Sequence, residues 1–222
     1  MDKRFWAIIG VIVVIFGGII FLNNHSSKNN NSSKNSGTPT SHIAGNTTSK
    51  VKLIEYGDYE CPVCENYQAT VQQVGQKYND TVAFQFRNLP LSQIHPNAFA
   101  GARAAEAAAK QGKFWEMHDL LYTPQDWQEW STSNNATPYF KQYAGALKLN
   151  LTQFNKDFSS AAVNNLINAD IAAFEKTGQP KATPSFFLNG KYIANTKLVD
   201  ASGQPSLDAF SKVIDNALKT TK

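Results

Sequence analysis

The chain has 222 residues, 42% of them hydrophobic, with two cysteines and a formal net charge of +4. That length suits one ordinary domain with its own core, and two cysteines exclude a small scaffold stapled by several bridges. Up to Ser49 there are four basic residues and one acidic residue, net +3, so the remainder carries only +1 and is not a broadly basic nucleic-acid-binding domain.

Phe5 to Leu22 is an unbroken uncharged run rich in Ile, Val, Gly and Phe. As a helix it spans roughly 27 Å, about the hydrocarbon core of a bilayer. Lys3 and Arg4 precede it, so the positive-inside rule places residues 1–4 in the cytoplasm and the rest outside. The run ends in Asn23-Asn24-His25 without a small-residue cleavage site, which favours an uncleaved single-pass anchor over a signal peptide. Either reading exports the remainder of the chain. Residues 23–49, mostly Asn, Ser, Thr, Gly and Lys, read as a disordered linker, and the folded domain is expected over 50–222.

Val51 to Tyr56 reads as a short, largely buried strand. Cys61-Pro62-Val63-Cys64 comes next, and Pro62 suits the first turn of a helix running to about Tyr78. Thr81 to Arg87 alternates and predicts a second strand. Beyond it lies a helical stretch, with helices expected over Pro96–Gln111, Lys113–Tyr122, Pro138–Leu147, Thr152–Phe158 and Ala161–Thr177. Ser185 to Leu188 predicts a strand, Asn189-Gly190 a two-residue hairpin, and Lys191 to Ala194 the returning strand. Pro205 to Lys219 closes the chain as an amphipathic helix.

The chemistry centres on Cys61 and Cys64. A structural disulfide across so short a loop gains only about 1.9 kcal/mol, and a structural zinc site needs four ligands that one CxxC does not supply. A cysteine at a helix amino terminus, by contrast, faces free backbone N–H groups that favour its thiolate. Cys61 occupies that position as nucleophile, and Cys64, one turn on, is placed to resolve a mixed disulfide. Asp58 and Glu60 would oppose the thiolate if they faced it. His95 and His118 read as structural, and the tryptophans as core packing. Tyr56 and Tyr59 flank the site in sequence and are candidates for a substrate groove.

The strand–CxxC–helix–strand order, the helical insertion (about 92–165) and the segments EYGDYECPVCENY, FWEMHDLLY and ATPSFFLNG resemble the thioredoxin superfamily over residues 50–220. Within it the chain is similar to membrane-anchored DsbA-like thiol–disulfide oxidoreductases of Gram-positive type. The resemblance implies a thioredoxin-like α/β fold and an exchange enzyme with no metal or organic cofactor. It matches Pro184 to the family's cis proline beside the active site, with Thr183 before it. It matches Glu55 to a buried acid that moves protons to and from the resolving thiol, the alternative being an edge-strand surface charge. Val63 stands where the strongest oxidants carry histidine. The implied partners are exported cysteine-containing proteins and a quinone-linked membrane re-oxidase of the DsbB or VKOR-like type. A reductase or isomerase running the other way, and a non-catalytic binding module, are the rival readings.

Overall fold

The computed structural model describes residues 37–221. The expected anchor over 5–22 and most of the linker lie outside them. Among the described residues no helix is long and apolar enough to cross a membrane.

Five strands form one sheet: β1 (His42–Gly45), β2 (Lys52–Gly57), β3 (Ala83–Asn88), β4 (Ser185–Leu188) and β5 (Lys191–Ile193). Their spatial order is β1-β3-β2-β4-β5, with β2 parallel to β3 and the other pairs antiparallel. Among the described residues eight α-helices accompany them: α1 (Pro62–Lys77), α2 (Ala98–Ala109), α3 (Phe114–Leu121), α4 (Pro124–Ser131), α5 (Thr137–Ala146), α6 (Leu151–Phe158), α7 (Ala161–Glu175) and α8 (Leu207–Thr220).

Two of these elements depart from the sequence expectation. A linker running to Ser49 is not what forms, because β1 pairs with β3 inside it, His42 opposite Phe86 and Gly45 opposite Ala83. The folded domain therefore starts ahead of residue 50. Helix α4 is also additional, although Pro124 at its first turn and the Trp127/Trp130 pair on its buried side carry the signal. An insertion ending at residue 165 would cut α7. That helix instead continues unbroken to Glu175 and packs against the sheet.

Alternation along the strands divides the core. Leu53, Phe84, Phe186 and Leu188 join Val74 of α1 and Phe210 and Ile214 of α8 on one side. Tyr56 and Phe187 meet Phe174 of α7 on the other. The insertion has its own core around Trp130, Phe140, Met117, Leu121 and Phe154. Each such fully buried side chain stabilises the fold by about 1.5–3 kcal/mol. The β4–β5 turn is the expected hairpin: Asn189 and Gly190 have φ of 50° and 78°, the left-handed pair a tight two-residue turn requires. Asn189 Oδ1 also accepts from the Lys52 amide at 2.9 Å, fixing the hairpin to β2.

Candidate active site

The site forms where β2 ends. Cys61 caps α1 with extended backbone (φ −76°, ψ 122°), and Pro62 occupies the first turn. β4 runs antiparallel to β2, with Ser185 opposite Tyr56, so the turn before β4 arrives beside the start of α1. That turn holds the cis Thr183–Pro184 bond. The Cys61 thiol approaches the Thr183 carbonyl oxygen at 3.6 Å. Asn195 Nδ2 donates to the Pro184 carbonyl at 2.9 Å, and Ser185 Oγ to the Ala182 carbonyl at 2.7 Å, so the proline turn is held from both sides. The structure thus brings Cys61, Cys64, Thr183 and Pro184 together as expected.

The two thiols are reduced and differ in environment. Cys61 is pulled down from 9.0 to about 6, first by the Cys64 thiol and, against the cost of burial, by Thr183 and the amides of Cys64 and Val63. Thr183 Oγ1 is buried with no other partner, which leaves its hydroxyl free to donate to the thiolate. At pH 7 a thiol of that acidity is ionised about ten to one. Cys64, only 1% exposed, is pushed well above its ordinary value by burial, then by Cys61 and Glu55. One helical turn therefore separates a nucleophile from a protonated resolving thiol.

Glu55 sits on β2 under α1 and is buried, so the surface-charge alternative is excluded. Its carboxyl is raised from 4.5 to about 8, chiefly by burial and then by the Cys61 thiolate. It is neutral at pH 7.

Asp58 and Glu60 do not face Cys61 as opponents. The buried Asp58 carboxylate accepts from the Leu91 amide (2.8 Å), His95 Nδ1 (2.7 Å) and the Glu60 amide (2.8 Å). Glu60 accepts from the Asn97 amide at 2.5 Å. Both charges are spent on fixing the loop before α2 to the active-site turn. The turn's own carbonyls are held from the insertion: Tyr122 donates to Asp58 O at 3.0 Å and Trp127 Nε1 to Tyr59 O at 2.7 Å. Tyr56 and Tyr59 are 3% and 1% exposed, so neither lines a groove. Val63 does face outward, beside the thiol, at 47% exposure.

The family profile for thioredoxin matches residues 37–216. Among curated proteins, the Na(+)/H(+) antiporter NhaA 1 of Mycolicibacterium gilvum is 37% identical over 153 residues, covering 68% of this chain and 23% of that protein. NhaA 3 of Salinispora tropica is 34% identical over 170 residues, 77% of this chain and 25% of that one. The chain spans about a quarter of the length of these relatives. Among solved structures, a thioredoxin-like oxidoreductase from Silicibacter pomeroyi superposes with TM-score 0.64 at 25% identity, covering 81% of this chain and 92% of that one. Wolbachia pipientis alpha-DsbA1 gives 0.65 at 22% identity, over 83% and 94%. Bacillus subtilis BdbD gives 0.64 at 20%, over 82% and 97%. The chain belongs to the thioredoxin family, and its fold is similar to that of the DsbA proteins.

Proposed function

We propose that the chain oxidises cysteines of exported proteins to disulfides from a membrane-tethered position outside the cytoplasm. One observation carries the direction: the reduced site holds Cys61 as a thiolate, with its acidity near 6. Whatever stabilises the reduced enzyme makes its disulfide easier to reduce, and so a better oxidant of others. In the forward reaction a substrate thiolate attacks Cys61, Cys64 leaves, and a second substrate thiol releases the enzyme. Glu55, neutral at pH 7, is placed to protonate the departing Cys64 sulfur. The apolar run Phe5–Leu22 behind Lys3 and Arg4 supports the tether and its orientation. Electrons would pass on to a quinone-linked membrane re-oxidase, of the DsbB or VKOR-like kind.

The acidity of Cys61 lies between the roughly 7 of thioredoxin and the roughly 3.5 of DsbA. The potential is accordingly expected between their values, at roughly −200 to −250 mV. Equilibration of Cys61–Cys64 against glutathione measures it. A value below about −270 mV, in the reducing range of thioredoxin, would reverse the proposed direction. The Cys64→Ser variant is expected to accumulate mixed disulfides with exported proteins through Cys61. A non-catalytic scaffold would trap none.

A further inference from the structure

A cleft of about 600 Å³ opens between α1, α3 and the β1 edge of the sheet. Its inner wall carries Glu55 and Gln68, and it is also lined by Gln72, Trp115, His118 and Asp119. Glu55 and His118 are both buried, whereas the Asp119 side chain is 56% exposed. Gln68 Nε2 and Gln72 Nε2 each lie 3.3 Å from Asp119 Oδ1, as does His118 Nδ1. Phe86, opposite Glu55 on β3, also lines the cleft. The His118 ring meets Phe86 edge-on at 4.8 Å, and Gly57, without a side chain, leaves room for the Phe86 ring and for Glu55 Oε1 together. A cavity of this size holds several water molecules at about 30 Å³ each.

We infer that His118, oriented by Asp119, is the outer half of a proton path that runs through this cleft to Glu55 and serves Cys64. The inference rests on the dithiol exchange proposed for Cys61 and Cys64. With Asp119 ionised, the shared proton lies on His118 Nδ1 and leaves Nε2 as an acceptor, the arrangement of a carboxylate-steered base. Burial keeps the imidazole neutral by lowering its proton affinity, against the pull of Asp119.

The path matters when the reduced enzyme is re-oxidised. The Cys61 thiolate attacks one sulfur of a disulfide-bearing oxidant, the oxidant's S–S bond breaks, its other sulfur leaves as a thiolate, and Cys61 is left in a mixed disulfide. Cys64 then attacks Cys61 Sγ, the Cys61–Cys64 bond forms, and the oxidant's sulfur leaves with the electron pair of the broken bond. The enzyme loses two electrons and the oxidant gains them. Glu55, neutral before this step, first gives its proton through the cleft to His118 Nε2 and out past Asp119, and the carboxylate so formed then takes the proton from Cys64. The titratable groups around these two are Cys61, Cys64, Tyr59 and Tyr122 on the inner side and His42 and Asp119 on the outer side.

The test uses reduced enzyme and oxidised glutathione, with acid quenching and mass analysis of the glutathione mixed disulfide from pH 6 to 9. In His118→Gln the attack of Cys61 should keep its wild-type rate, while resolution by Cys64 slows about tenfold near pH 7 and recovers as hydroxide takes over. The slowing should vanish when Glu55→Gln is already present, because the path is then broken upstream. Asp119→Asn, a surface change, should slow resolution in the same pH range and carries the test if His118→Gln does not fold. Wild-type resolution at every pH in these variants, or equal slowing with and without Glu55, overturns the path. A wild-type chain whose Cys61 forms no mixed disulfide overturns the exchange reading beneath it.

Discussion

Two buried carboxylates, Glu55 beneath α1 and Asp170 on α7, have nearly the same exposure and opposite surroundings. Asp170 is fully buried and accepts four hydrogen bonds: from the Thr40 amide (2.7 Å), Thr40 Oγ1 (2.7 Å), the Asn88 amide (2.9 Å) and Asn88 Nδ2 (3.2 Å). Asn88 Nδ2 also reaches Glu106 Oε1 at 2.7 Å, and Glu106 is paired with His42 at 2.8 Å. Burial raises the proton affinity of Asp170 above its ordinary value as well, and the bonds from Thr40 and Asn88 offset only part of that rise. Glu55 has burial and a neighbouring thiolate acting on it, and both push its proton affinity up. Burial alone therefore does not mark a functional acid. A carboxylate ringed with donors holds structure together, while one left without them keeps a proton that it can give away.

The largest expected effect tests the structural half of that contrast. Asp170→Ala strands the Thr40 and Asn88 donors around a void and should destabilise the domain by about 4 kcal/mol. Urea unfolding measures it, and the acidity of Cys61, followed by thiolate absorbance, should not move. A loss below about 1 kcal/mol would mean that the network does not hold the segment Thr40–His42 to the core.

Glu55→Gln comes next and has the opposite sign. The carboxyl titrates near 4.5 when unfolded and near 8 when folded and reduced, so the folded state holds its proton more tightly. Stability from that proton is complete below about pH 4.5 and drains away as pH rises through 8. At pH 7 the reduced wild type has lost about 3 kcal/mol that the glutamine variant keeps, at roughly 1.4 kcal/mol per pH unit. Stability of the two proteins measured from pH 4 to 9 should converge in acid and diverge above pH 5, with the variant the more stable and the slower to exchange. Parallel curves would show that Glu55 ionises freely.

Much of the site is legible without the fold, because local signals coincide there. Pro62 after Cys61 marks a helix start, and Thr183-Pro184 before SFFL-Asn189-Gly190 marks the turn and hairpin that meet it. What stays hidden depends on direction or distance. His42–Gly45 looks like linker because an edge strand only partly buries its side chains, and its partner lies some forty residues away in β3. Asp58 and Glu60 look hostile to a thiolate because sequence shows their charge and not the donors they turn toward. His118 reads as structural, and its buried aromatic neighbours agree, but nothing linear in the chain places it on the cleft that reaches Glu55.

Trp127→Phe probes the active-site turn by one neutral bond. The ring volume is largely kept, but Tyr59 O loses its donor, and the expected cost is about 1.5 kcal/mol in thermal or urea unfolding. That should be less than half the cost at Asp170, since one bond is lost here and four contacts from Thr40 and Asn88 are lost there. An equal cost would erase the distinction between a buried carboxylate network and a single bond.

The smallest effect is expected at Val63, where the contrast turns from burial to exposure. Valine gives the Cys61 thiolate nothing but its amide, so the thiol owes its acidity to Cys64, Thr183 and the helix start. Val63→His adds a cation two positions from the thiol, but the site is 47% exposed, and solvent screens what it adds. A gain of about half a pH unit in Cys61 acidity is expected, which for a two-electron couple raises the potential by about 15 mV. Thiolate absorbance and glutathione equilibration should report the two changes together, because both measure the same stabilisation of the reduced state. A potential that rose without a matching fall in thiol pKa would place the redox control outside Cys61, and the asymmetry between the two thiols would no longer account for the direction of exchange.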